Sequence, residues 1–165
     1  MIRGVEAERA LAQWVAAPTL VLGIGTAWCG DDAAGPLVCG QTSAPYIIDC
    51  GDAPERFLGK ADDPHVAQVL LVDAMDFCGL PGEVAFCDRG DLVEAAGTTH
   101  TTGLAVLARY VSTSFGKPVA VLGIQPGDTR FGAGVSRAVR DAAVRVGAAL
   151  ARNVSAHWEA AWTRS

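Results

Sequence analysis

Three stretches of the chain are apolar at nearly every position: Thr19 to Ile24, Val66 to Val72 and Pro118 to Ile124. A strand turns successive side chains to opposite faces, so a run without alternation must be covered on both, as at the centre of a parallel sheet. Tyr46 to Ile48 is a shorter run of the same kind, and Gly82 to Phe86, following the turn-forming Gly79-Leu80-Pro81, reads as an edge strand. Between these runs the apolar period lengthens to that of a helix. It does so from Val5 to Ala16, in a short segment beginning near Ala33, and over Gly103 to Ser114, where Leu104, Leu107 and Val111 share a face. From Gly134 onward Val135, Val139, Ala142, Val146, Ala149 and Leu150 recur at helical spacing, with Arg137, Arg140, Arg145 and Arg152 at charged positions. Strands alternating with helices through short connections predict an α/β fold, a three-layer α/β/α sandwich around a mostly parallel sheet of about five strands. No repeat or linker divides the chain, so residues 1–165 read as a single domain. Its parts are an N-terminal helical extension (1–18), a core (19–150), and the end of the C-terminal helix with its tail (151–165). The N-terminal helix and the segment after Asn153 are expected to be peripheral.

Composition narrows the choice of partner. Half of the 165 residues are hydrophobic and the formal net charge is −5, with no cluster of Lys and Arg of the kind that phosphate backbones require; nucleic acid is excluded as a partner. Glu6 and Glu8 interrupt the N-terminus where a secretory signal needs an apolar stretch, and no window approaches the ~20 apolar residues of a membrane span. The expectation is a cytoplasmic protein without membrane insertion. The five cysteines, Cys29, Cys39, Cys50, Cys78 and Cys87, are odd in number and include no CxxC pair, which fits reduced thiols that mainly pack.

The segment from Leu22 to Pro36 carries a buried strand through a glycine loop, Gly23-Ile24-Gly25-Thr26-Ala27-Trp28-Cys29-Gly30, into Asp31-Asp32 and a helix. It is not a dinucleotide fingerprint: Trp28 stands at the third glycine position, and two carboxylates at the helix start repel a pyrophosphate. Asp31 and Asp32 suit helix caps, which is the simpler role and the one favoured for Asp31. Asp73, in Leu70-Leu71-Val72-Asp73, ends a core strand at the sheet edge where open α/β proteins bind ligands, although it also suits a turn; Asp76 reads as a turn or surface carboxylate. The polar loop Gly97-Thr98-Thr99-His100-Thr101-Thr102 opens a helix and brings His100 toward the same edge. His65 and His157 accompany no second candidate ligand and read as surface or hydrogen-bonded residues. Asp32, Asp73 and His100 together offer two oxygens and an imidazole nitrogen, a set suited to nickel or zinc that leaves positions for water or substrate.

The acidic loop, the strand-end aspartate and the histidine loop, in this order, resemble the hydrogenase maturation endopeptidases from about Thr19 to Leu150. Supporting matches are Ile48-Asp49-Cys50-Gly51, Leu80-Pro81-Gly82-Glu83, Thr98-Thr99-His100 and Leu122-Gly123-Ile124-Gln125-Pro126. The resemblance implies metal binding by Asp32, Asp73 and His100, with Asp31 as the neighbour at the helix start. It implies an endopeptidase that recognises nickel already installed in the large-subunit precursor of a nickel-iron hydrogenase and removes the precursor's C-terminal extension. The nickel then belongs to the substrate, another divalent ion such as zinc can occupy the same ligands, and the protein is expected to act as a monomer. Thr26 stands where the family usually has asparagine, Ala33 where it commonly has glycine, Cys50 within a typical glycine pair, and Thr101 where an amide is common. These departures bear on precursor specificity and on the loops around Gly25 and Gly51.

Two other readings use the same residues. A metal-dependent hydrolase of small molecules needs only the three ligands and an activated water. A receiver-like signalling domain shares the acidic pair, the strand-end aspartate and Lys117-Pro118, but its acidic pair ends the first strand directly, whereas here a loop from Gly25 intervenes. The chain has no Gly-x-Ser-x-Gly elbow and no HExxH helix, and only Cys29 and Cys50 are loop thiols. The catalytic nucleophile is therefore unassigned, and a water activated at or near the nickel is the preferred mechanism.

Overall fold

The computed structural model describes residues 1–88 and 99–162, giving backbone alone at 99–102 and 160–162. Six strands form one sheet: β1 (Ile2–Arg3), β2 (Thr19–Gly23), β3 (Ile47–Asp49), β4 (Gln68–Ala74), β5 (Val84–Cys87) and β6 (Val119–Ile124), in the order β1-β5-β6-β4-β2-β3. The strands β6, β4, β2 and β3 are parallel, while β5 runs antiparallel to β6 and β1 antiparallel to β5. Every residue of β2, β5 and β6 is buried, as expected for strands covered on both faces.

The mostly parallel α/β sandwich is as the apolar pattern predicts, with two differences at its edge. The sheet has six strands, and Val84–Cys87 is interior because Ile2–Arg3 pairs along its outer side. A two-residue strand is too short to show a period of 2 in the sequence.

The helices are α1 (Val5–Trp14), α2 (Ala34–Cys39), α3 (Thr99–Phe115) and α4 (Arg137–Trp162). α4 packs on α1 and α2 on one face of the sheet, and α3 lies against β4 and β6 on the other. The flanking segments expected to be peripheral are part of the core. Ala7, Leu11 and Val15 are fully or almost fully buried, and the Gln68 side chain donates to the Trp14 carbonyl at 2.6 Å. Beyond Asn153, α4 continues the buried stripe of Leu150 through Val154 to Trp158. The Trp158 ring stacks on Tyr46 with centroids 4.7 Å apart, and its Nε1 donates to the Thr19 carbonyl at 2.9 Å. A ring that large buries enough apolar surface to hold the last turns of the helix in place. Among the described residues no helix is long and apolar enough to cross a membrane.

Candidate active site

The parallel strands β2, β4 and β6 end side by side, and the loops leaving their C-terminal ends build one cleft. After Ile24, whose N–H donates to the Val72 carbonyl, the chain turns sharply at Gly25 (φ 132°), and a Cβ there would overlap the Asp32 backbone carbonyl. This position therefore requires glycine. The loop then closes on itself: the Thr26 N–H donates to Asp32 Oδ2 at 2.9 Å, and a single turn of 3₁₀ helix over Gly30–Ala33 leads into α2. Gly35 allows α2 to lie flat on the sheet, since a Cβ would meet the backbone of Ile24 and Val72.

Asp32 is thus half-buried at the end of β2, and Asp73 is half-buried as the penultimate residue of the neighbouring β4. Asp73 Oδ1 accepts the Ala74 N–H at 2.8 Å. Burial and then the charge of Asp32 push the Asp73 carboxyl up to about 8. A cation beside them would relieve the repulsion that the charge of Asp32 exerts on Asp73.

The third expected ligand, His100, is the second residue of α3, and its side chain lies outside the described residues. α3 reaches β6 through the short connection 116–118, so it runs against that strand and starts at the edge where Asp32 and Asp73 lie. Among the described residues, which exclude the His100 side chain, no three metal-ligating groups come together. The structure brings Asp32 and Asp73 together and puts the His100 backbone at their edge of the sheet.

Asp31 is not a helix cap, and it differs completely from its neighbour. It is fully buried and makes no capping bond. Its carboxylate accepts N–H groups from Gly127 (2.7 Å), Asp128 (3.1 Å) and Ser136 (2.6 Å), while its own N–H donates to the Asp128 carbonyl at 2.9 Å. Burial raises the pKa of Asp31, but the bonds from Ser136, Gly127 and Asp128 outweigh it and hold the group below the usual carboxylate value. It clamps the loop after β2 to the loop after β6.

Gln125 does the same for the loop after β4. Buried at the end of β6, its Oε1 accepts from Phe77 and Gly79, both at 2.9 Å, and its Nε2 donates to Asp76 Oδ1 at 3.1 Å. Asp76 is exposed and closes a turn on the Cys78 N–H, as the simpler reading expects. The resulting cleft of about 220 Å³ lies between Asp32, Ala74 and Asp76 on one side and Gln125, Gly127 and Thr129 on the other. Of these, Gln125 enters the sequence reading only within a matching motif, and Gly127 and Thr129 do not enter it.

The family departures fit locally. The Thr26 hydroxyl accepts the Trp28 N–H at 3.4 Å, Ala33 is buried, and Gly51 (φ 58°) still accepts from Gly25 through its carbonyl at 2.9 Å. Thr101 lies outside the residues whose side chains are described. His65 is exposed and bonded to Asp63.

The thiols divide. Cys39 and Cys50 are buried, with both pushed up to about 12, Cys39 by burial and the neighbouring Cys50, Cys50 by burial and the charge of Asp49. Cys87 is buried, Cys29 half-buried, and Cys78 is exposed at φ 59°, which rules out a packing role for Cys78. A thiol held protonated at neutral pH is a poor nucleophile. Cys50→Ser is therefore expected to keep activity within about threefold of the parent, and so is Cys29→Ser, since attack by an activated water needs no thiol; initial rates on a protein substrate check both, and loss of all turnover in either folded variant would implicate that sulfur.

Comparison with known proteins gives a consistent result. A family model described as hydrogenase maturation protease matches residues 40–153. The hydrogenase 3 maturation protease of Escherichia coli K12 is 33% identical over 129 residues, covering 74% of this chain and 82% of that protein. The crystal structure of a [NiFe] hydrogenase maturation protease, HycI, from Thermococcus kodakarensis superposes with a TM-score of 0.77 at 28% identity, covering 88% of this chain and 99% of that one. The solution structure of an endopeptidase HycI from Escherichia coli superposes at 0.68 with 29% identity, covering 86% and 90%.

Proposed function

This chain belongs to the hydrogenase maturation protease family, a family of endopeptidases, and from that premise we propose that it removes the C-terminal extension of a nickel-loaded nickel-iron hydrogenase large-subunit precursor. Asp32, Asp73 and His100 dock the nickel that the precursor carries, and zinc or another divalent ion can take the same ligands. The observation that carries this reading is the pair of half-buried carboxylates, Asp32 and Asp73, close enough for the charge of one to act on the other, at the C-terminal edge of the parallel sheet beside a cleft of about 220 Å³. Three protein ligands leave coordination positions for groups of the precursor, so the ion is completed only in the complex. A divalent ion there supplies Lewis acidity to the scissile carbonyl or its attacking water. The residues of this chain fix where the ion sits: the Thr26 N–H orients Asp32, and the Ala74 N–H orients Asp73. The expected setting is the cytoplasm, with the protease acting as a monomer.

The competing readings make different demands. A receiver needs its lysine beside the acidic pair, yet Lys117 donates to the Val66 and Asp63 carbonyls, before the start of β4 and away from Asp73 near its other end. A small-molecule hydrolase is separated by substrate. Incubated with its cognate precursor, the protein should release a C-terminal peptide detectable by mass, and it should leave generic esters and phosphates intact. Turnover of those esters or phosphates with the precursor untouched would overturn the assignment.

A further inference from the structure

Three large apolar side chains stand in solvent on the loops that build the cleft: Trp28 (72% exposed), Leu80 (78%) and Phe131 (82%). They come from three separate loops: Phe131 lies in the segment after β6, and the loops that carry Trp28 and Leu80 are both tied to it. The Gly132 N–H donates to the Trp28 carbonyl at 2.8 Å, which places Phe131 next to Trp28. The residue after Leu80, Pro81, packs against Gly127, and the Gly82 N–H donates to the Gln125 carbonyl at 2.8 Å. Thr129 and Gly127 line the cleft, and Phe131 follows Thr129 by two residues, a reach of at most about 7 Å. Asp31 fastens the Trp28 loop to Gly127, Asp128 and Ser136. The aromatics are therefore displayed on a pinned backbone, which has little further freedom to lose when a partner covers them.

We infer that Trp28, Phe131 and Leu80 form the docking platform for an apolar stretch of the polypeptide substrate flanking the bond to be cut. This rests on the reading of the cleft as the place where a peptide bond is cleaved. The occupant follows from continuity: a chain threaded past Asp32 and Asp73 must cross the loops that line the cleft, and these loops carry Phe131 two residues from Thr129, Trp28 bonded through its carbonyl to Gly132, and Leu80 next to Pro81, exposed apolar surface of the kind that anchors a partner. Trp28 and Phe131 are specificity residues, since they hold no reacting atom.

The test compares Trp28→Ala, Phe131→Ala and the double variant with the parent full chain, using purified cognate precursor. Val144→Ala, exposed on α4, is the control for a remote apolar residue. Both aromatics are solvent-exposed, so melting temperatures should be unchanged. Each single variant should raise KM about tenfold with kcat within twofold, and calorimetric affinity for the precursor should fall by a similar factor. Trp28→Phe should recover most of the loss, whereas Val144→Ala should have no effect. An unchanged KM and affinity in the double variant would overturn the platform while leaving the proposed protease intact. A parent that binds the precursor without cutting it would overturn the proposed reaction, and the platform would still stand on an affinity lost in the variants. If the substitutions altered only concentration-dependent self-association, the patch would be a contact between copies of this chain and the inference would be wrong.

Discussion

Asp32→Asn, Asp73→Asn and His100→Ala should each slow release of the precursor's C-terminal peptide by on the order of 10³-fold, because each removes one of three groups proposed to hold the substrate's metal. The Asp73 substitution should also stabilise the isolated protein at neutral pH. Folding raises the Asp73 carboxyl from 3.8 to about 8. Between those values the unfolded chain has given up a proton that the folded protein still holds, so the favourable contribution is complete below the lower value and is lost as pH rises through the higher one. Asparagine carries no such pH-dependent term. The Asp73→Asn variant should therefore melt higher than the parent near pH 8, by roughly 5 °C, and the gap should close toward pH 4. Thermal melts of both proteins across that range, without added metal, measure it; a variant that melts lower at every pH would mean that the Asp73 carboxylate supports the fold. Lost processing together with gained stability is the mark of a functional carboxylate.

Asp31→Ala, at the neighbour of Asp32, should have the opposite effect on stability to the Asp73 substitution. It removes a fully buried carboxylate that accepts three backbone N–H groups and leaves those donors without their partner. Losses of this kind cost about 3–5 kcal/mol. Denaturant unfolding should show that loss directly, and Asp31→Asn should recover little of it, since one amide oxygen cannot replace two carboxylate oxygens and the amide N–H₂ faces other donors. A melting curve within 1 kcal/mol of the parent would return Asp31 to the role of a simple helix-start residue. Processing should fall in proportion to the folded fraction and to the slack introduced between the loops after β2 and β6.

Asp31 and Asp32 also show what the sequence makes legible. Adjacent carboxylates at a helix start look alike in one dimension. Asp31 is told from Asp32 by partners about a hundred residues away, Gly127, Asp128 and Ser136, in a loop whose sequence gives no sign of the contact. Gln125 is obscure for the same reason: its partners lie in the turn after β4. The central strands and the long helices could be read because burial on both faces and helical period are local properties of the chain, and the strand-end position of Asp73 follows from them. The two-residue β1 and the burial of α1 and of Trp158 could not, because they depend on which neighbours the sheet edge and Tyr46 provide. Trp28, Leu80 and Phe131 are scattered through the sequence, and their loops come to one edge of the sheet only through the backbone bonds that tie them to the segment after β6.

Cleavage is proposed to require nickel presented by the precursor. With only Asp32, Asp73 and His100 to offer, the protein should hold nickel loosely alone and bind it firmly only when the precursor contributes further ligands, so that recognising the metal and recognising the substrate become one event. The most direct measurement mixes the purified protein with its cognate precursor, prepared with nickel and without it, and follows the C-terminal peptide by mass. Release from the nickel-loaded precursor alone is the predicted result; equal release from both, with chelator present in the metal-free sample, would contradict it.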